Sequence, residues 1–171
     1  MSRSGDTPTP RIAITGTRTP SAADGELDCR FARFLGPFDG SGCTWLLGGA
    51  AGIDTLALRW LAEHGQGALH VAVPVTAADQ PEEAGHVIRQ AEGAGRLAQL
   101  SELRHPAGIG NDAFTARNRW LVEHSDFVIG FPATATEDGS GTWETLDLAR
   151  SLGRPFLVVP VGAAPTSGGS D

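Results

Sequence analysis

The sequence predicts an α/β fold: one three-layer domain around a mostly parallel sheet of six or seven strands. Three observations point there. Short apolar runs alternate with segments of helical period along nearly the whole chain, the pattern of repeated strand–helix–strand units. The strand runs are continuously apolar rather than alternating, as a sheet covered on both faces requires. The chain has 171 residues, 40% of them apolar and 19% charged, which suits one globular domain with a proper core.

The elements follow in order. "RIAIT" (11–15) is a short β-rich run closed by Gly16, and residues 20–34 carry apolar positions at a loose helical period. "TWLLGG" (44–49) is a second strand running into glycines. In residues 52–65, Ile53, Leu56, Ala57, Trp60 and Leu61 keep the spacing of one helix face, and Gly65 ends it. "ALHVAVPV" (68–75) is a third strand, residues 81–93 read as a polar, exposed helix, and residues 96–103 hold a fourth strand. Residues 111–125 are helical with Asn111 or Asp112 as cap, "DFVIGFP" (126–132) is a fifth strand, residues 141–152 a helix, and "PFLVVPV" (155–161) a sixth strand. No repeat or linker divides the chain, so residues 11–161 form the domain. The stretches 1–10 and 162–171, rich in Ser, Thr, Pro and Gly, read as loose tails.

The formal net charge is -7. An acidic surface repels phosphate backbones, which disfavours bulk nucleic acid as a partner. No apolar run is long enough to span a membrane, and the N-terminus lacks an apolar signal core, which points to the cytoplasm. Cys29 and Cys43 read as reduced, partly buried thiols. The five histidines share no helix face at ligand spacing, and no nucleophile motif is present. The sequence implies neither a metal nor a cofactor.

In a doubly wound sheet, ligands sit beyond the carboxyl ends of the strands. Three loops there have unusual compositions. "GGAAGID" places Gly48, Gly49 and Gly52 around a helix start, which suits an anion held by backbone amides, or else a tight turn with close packing. Asp54, in the first turn, fits either a helix cap or an acceptor for a ligand hydroxyl. "TGTRTP" offers Gly16, Thr17 and Arg18, the arginine being suited to a phosphate. "EDGSGTWE" opens a helix on Gly139, Ser140, Gly141 and Thr142, whose amides and hydroxyls suit an anion, with Glu144 at the same mouth. Glu144 fits a ribose contact, an acid or base, or a plain N-terminal helix acid. Arg117 and Arg119 flank Asn118 two positions apart on one helix, so they point to different faces, and one of them can face the site.

The motifs "IAITGTR", "LLGGAAGIDTLALRWLAE", "ARNRWLVEHSDFVIGF" and "GSGTWETLDLARSLGRPFLVV" occur in an order that resembles the SLOG superfamily. It groups the LOG phosphoribohydrolases, the Rossmann-like domain of DNA-processing protein A, and small stand-alone proteins. The resemblance spans about residues 11–160. It implies a Rossmann-like sheet that binds nucleotides or their derivatives at these loops, and dimers formed through helices carrying Trp120 or Trp143. On the LOG pattern, Arg117 and Glu144 are the catalytic pair that cleaves the N-glycosidic bond of a nucleoside 5′-monophosphate. The chain departs from that pattern at Asn118, at Thr145 and in a longer, P-G-G-less loop before Gly141. On the DNA-processing pattern, Gly52-Ile53-Asp54 and Arg117-Asn118-Arg119 match, which implies binding of single-stranded DNA. The main expectation is a nucleotide-binding domain of a kind that suits a sensor, with the LOG-like and DNA-binding activities as alternatives.

Overall fold

The computed structural model describes residues 9–21 and 25–162. The two expected tails lie outside these, apart from Thr9, Pro10 and Gly162. Six strands form one sheet: β1 (Arg11–Gly16), β2 (Thr44–Leu47), β3 (Ala68–Val73), β4 (Leu97–Glu102), β5 (Phe127–Phe131) and β6 (Phe156–Val158). Their order is β4-β3-β2-β1-β5-β6, and every pairing is parallel. This is a Rossmann-like α/β fold. The chain builds outward from β1 through β2, β3 and β4, then returns to lay β5 on the other side of β1. The switch point therefore falls between β1 and β5, where such sheets open a crevice at their carboxyl edge.

Five helices cover the sheet: α1 (Glu26–Phe34), α2 (Ile53–His64), α3 (Glu82–Gly93), α4 (Asn111–Glu123) and α5 (Gly141–Ser151). Side chains alternate along each strand, so odd and even positions meet different layers. Ile12, Ile14, Trp45, Leu47, Val71 and Phe131 pack with α1, α2 and α3. Ala13, Leu46, Ala72 and Val128 pack with α4 and α5. The second face carries the smaller residues, and the helices over it sit close. At Gly130 of β5 an added Cβ would lie 2.8 Å from both terminal methyls of Leu146 on α5.

Several boundaries differ from the sequence reading. α1 begins only at Glu26, after Gly25 in the left-handed region at φ 78°. α3 is amphipathic rather than wholly exposed, and it buries Ala84, Val87, Ile88 and Ala91. Asn111 is the first helical residue of α4 and Gly110 takes the cap position. β6 is regular over three residues, and single backbone bonds from Val159 N to Gly130 O and from Val161 N to Pro132 O carry its pairing further. Cys29 is exposed and Cys43 buried, both as free thiols. Among the described residues no helix is long and apolar enough to cross a membrane.

Candidate functional site

A cavity of about 570 Å³ opens at the switch point. Its walls come from the end of β1 and the loop after it (Ile14–Thr19), the start of α2 (Asp54), one face of α4, and the entry to α5 (Ser140–Thr142 and Glu144). The β1 loop is fixed by the strand beyond it, since the Thr17 amide donates to Phe131 O at 3.0 Å. The loop before α5 is held from within. The exposed Asp138 carboxylate accepts from the Ser140 amide and the Thr134 hydroxyl, both at 2.9 Å. These bonds, Ser140 first, hold its pKa below the usual value. Ser140 caps α5 by accepting from the Trp143 amide. The positive end of α5 thus meets the cavity through Gly141 and Thr142.

Arg117 is placed differently from the ligand-gripping role expected of it. Its side chain is buried, at 4% exposure, and its own chain engages it. Nε donates to Asn118 Oδ1 at 2.8 Å, Nη1 donates to the carbonyl of Gly48, and Asp54 Oδ2 lies 3.8 Å away. Burial pushes the Asp54 carboxyl up, opposed by the Arg117 charge and by the amides of Ala50 and Gly48. Burial likewise presses the Arg117 guanidinium down, opposed by Asp54. The two form a buried pair in the floor of the cavity, each charge opposing the effect of burial on the other. Arg119, two positions on, is exposed and pairs with Glu123 at 3.6 Å, so the two arginines do face different ways.

Close packing from elsewhere in the chain explains two glycines of the β2–α2 loop. The space beside Gly48 is filled by the Arg117 guanidinium, which a Cβ there would strike. Gly52 sits at φ 76°, and a Cβ would strike the carbonyls of Thr17 and Arg18. The first amide of α2, Ile53 N, donates to Thr17 O at 3.1 Å, and Ala50 N donates to Asp54 at 3.3 Å. The chain itself occupies the anion cradle that the composition suggested. Of the residues expected to bind ligand, Gly16, Thr17, Arg18, Asp54, Asn118, Ser140, Gly141 and Thr142 line the cavity with Arg117 and Glu144, while Gly48, Gly49, Gly52 and Gly139 do not.

Arg18 is exposed and lies over the ring of Phe114, 4.7 Å from its centroid. Phe114 was not among the expected site residues. The sequence does hold a signal for it. Asn111, Phe114, Thr115 and Asn118 keep i, i+3, i+4, i+7 spacing on α4 and all line the cavity, a largely polar face that a helix packed against a core would not carry. Trp143, expected at a dimer contact, is 6% exposed and donates Nε1 to Thr134 O at 3.3 Å, so it is core.

A family model described as DNA recombination-mediator protein A matches residues 4–171. The chain belongs to this family. The superfamily resemblance read from the four motifs therefore holds on its DNA-processing side. Over 90% of its length this family member is similar to DNA processing protein A from Helicobacter pylori, at 27% identity and a TM-score of 0.66, covering 68% of that chain; that structure is described for a unique single-stranded DNA binding mode. It is also similar in fold to DNA processing protein A from Streptococcus pneumoniae, at 20% identity and TM-score 0.65, over 88% of this chain and 50% of that one. A third likeness of fold, at 22% identity and TM-score 0.59, is to the molybdenum cofactor binding protein of Rippkaea orientalis, over 91% of this chain and 78% of that one. No curated protein matches the sequence.

The family overturns one expectation. Bulk nucleic acid was disfavoured as a partner because of the net charge of -7, with single-stranded DNA binding kept only as an alternative. That figure is a whole-surface average, and it does not govern a single cleft that carries Arg18 and the positive end of a helix.

Proposed function

We propose that this protein binds single-stranded DNA through a short, local contact at the switch-point cavity. The observation that carries the proposal is the pairing of family membership with a cavity whose one uncommitted cation, among its lining residues, is Arg18. Arg18 and the N-terminal turn of α5 hold a backbone phosphate. The polar face of α4, with Asn111, Thr115 and Asn118, contacts the sugar. The nucleotide expected from the sequence becomes one unit of a strand, met in the cytoplasm.

The acidic surface limits how far a strand can be followed. With one or two phosphates neutralised, log K should fall against log salt with a slope of about −1. Fluorescence anisotropy of a labelled oligothymidylate across a salt series tests this. A slope steeper than about −4 would mean a long electrostatic track and defeat the local contact, and absence of binding at low salt would defeat the reading altogether.

The volume of about 570 Å³ also supports a second reading, a free mononucleotide. Competition of the oligonucleotide by thymidine and adenosine 5′-monophosphates separates the two. A LOG-like hydrolysis has less support, because Arg117 is already engaged by Gly48 and Asp54.

A further inference from the structure

The two edges of the sheet are finished differently. β4 carries Gln99, Ser101 and Glu102, with the Glu102 carboxylate paired to Arg104 at 2.8 Å. Polar and charged side chains of this kind discourage an edge strand from pairing. Residues 155–161, at the opposite edge, hold no polar or charged side chain. Phe156, Leu157 and Val158 are all half-buried there, and Leu152, which caps the end of α5 shortly before the strand, is 44% exposed.

The backbone of this edge can be accounted for group by group. Pro155 O, Val159 N and Val161 N bond to the β5 side. Successive residues of a strand turn their amide and carbonyl to opposite sides, so Phe156, Val158 and Pro160 face away from the sheet. Pro160 has no amide, and its carbonyl accepts from Arg30 Nη1 at 2.6 Å. The amide of Arg154 donates to Ala149 O at 2.8 Å. Between these engaged ends, the amides and carbonyls of Phe156 and Val158 have no bond among the described residues.

We propose that this edge pairs with its own counterpart in a second copy of the chain, antiparallel, about a two-fold axis through Leu157. Facing residues of antiparallel strands can exchange two bonds. Phe156 then faces the partner's Val158, and Val158 the partner's Phe156. The four bonds use every open amide and carbonyl of β6, and the engaged groups at Arg154 and Pro160 end the pairing on either side. A cavity of about 450 Å³ lies beside the edge, under a face of α1 that carries Glu26, Cys29, Arg30 and Arg33. α1 is acidic in its first turn and basic in its last. The two-fold axis reverses it, so the acidic end of one copy meets the basic end of the other. Antiparallel pairing also turns the two switch-point cavities in opposite directions, giving the dimer two separate ligand sites.

The test uses the full chain without ligand, so it stands apart from the DNA reading. Sedimentation equilibrium should show a dimer that dissociates on dilution. Hydrogen exchange read by NMR should slow at the Phe156 and Val158 amides as the dimer forms. Val158→Pro deletes one outward amide without touching a bond to β5, and should leave a folded monomer, by circular dichroism, with the oligonucleotide affinity of the parent. Arg33→Glu, at an exposed position outside both core clusters, makes the facing ends of α1 alike and should weaken the dimer several-fold; it serves as the test if Val158→Pro fails to fold. A monomer at every concentration overturns the proposal. So does a dimer that leaves the two amides exchanging freely, or one that neither substitution weakens, since the contact then lies elsewhere.

Discussion

The β2–α2 and β5–α5 connections are built from the same small residues and reach opposite ends. Both run from an inner strand through glycines into a helix start. In the first, the glycine spaces are filled from inside, by the Arg117 guanidinium beside Gly48 and by the Thr17 and Arg18 backbone beside Gly52. In the second, nothing lies within 4 Å of a Cβ added at Gly139 or Gly141, and the helix start opens on the cavity. A glycine-rich helix entry makes an anion site only where no other part of the chain has arrived first.

The sharpest way to break this contrast is to remove the filler. Arg117→Ala leaves Asp54 buried without its counterion, so chemical denaturation should show a loss of about 3–5 kcal/mol. Replacing both members, Arg117→Met with Asp54→Leu, should recover most of that loss, and additive losses would show that the pair does not act as a unit. Next in size is Gly48→Ala. Its Cβ forces the guanidinium off the Gly48 carbonyl, and about 2 kcal/mol of stability should go. On the open side, Arg18→Ala should leave the melting temperature nearly unchanged while oligonucleotide affinity falls about tenfold, one charge-assisted contact being lost. Glu144→Gln removes a carboxylate from the mouth of an anion site and should raise affinity only a few-fold, read by the same anisotropy titration. Smallest is Gly141→Ala, where open space and better helix propensity should keep stability within about 0.5 kcal/mol.

The fold was largely written in the order of apolar runs. "TWLL" and "FVIGF" announce strands buried on both faces, and the period of residues 53–61 announces a buried helix face, because these signals are local. The edges were less legible. Residues 155–161 read as a full strand, and backbone bonds to the β5 side do run from Pro155 O to Val161 N, but the regular ladder covers only Phe156–Val158, because Pro132 after β5 has no amide to donate back. The site was half legible. Arg18 and the run from Ser140 to Thr142 were marked by their own composition. Arg117 was marked as a ligand residue because the sequence cannot show that Gly48, 69 positions away, presents a carbonyl to it. Phe114 carries no such mark, since a lone aromatic in an amphipathic helix usually means core, and only the polar residues at its helical spacing say otherwise.

Gly130 offers a different kind of control over the cavity. It lines no ligand surface, yet the absence of its side chain lets Leu146 settle onto β5 and sets how deep α5 rests. The start of that helix is the lip of the cleft. A single methyl at position 130 would act as a shim under α5, lifting the lip and resizing the opening while every residue that meets the ligand stayed the same. The width of the mouth is adjustable from behind the sheet.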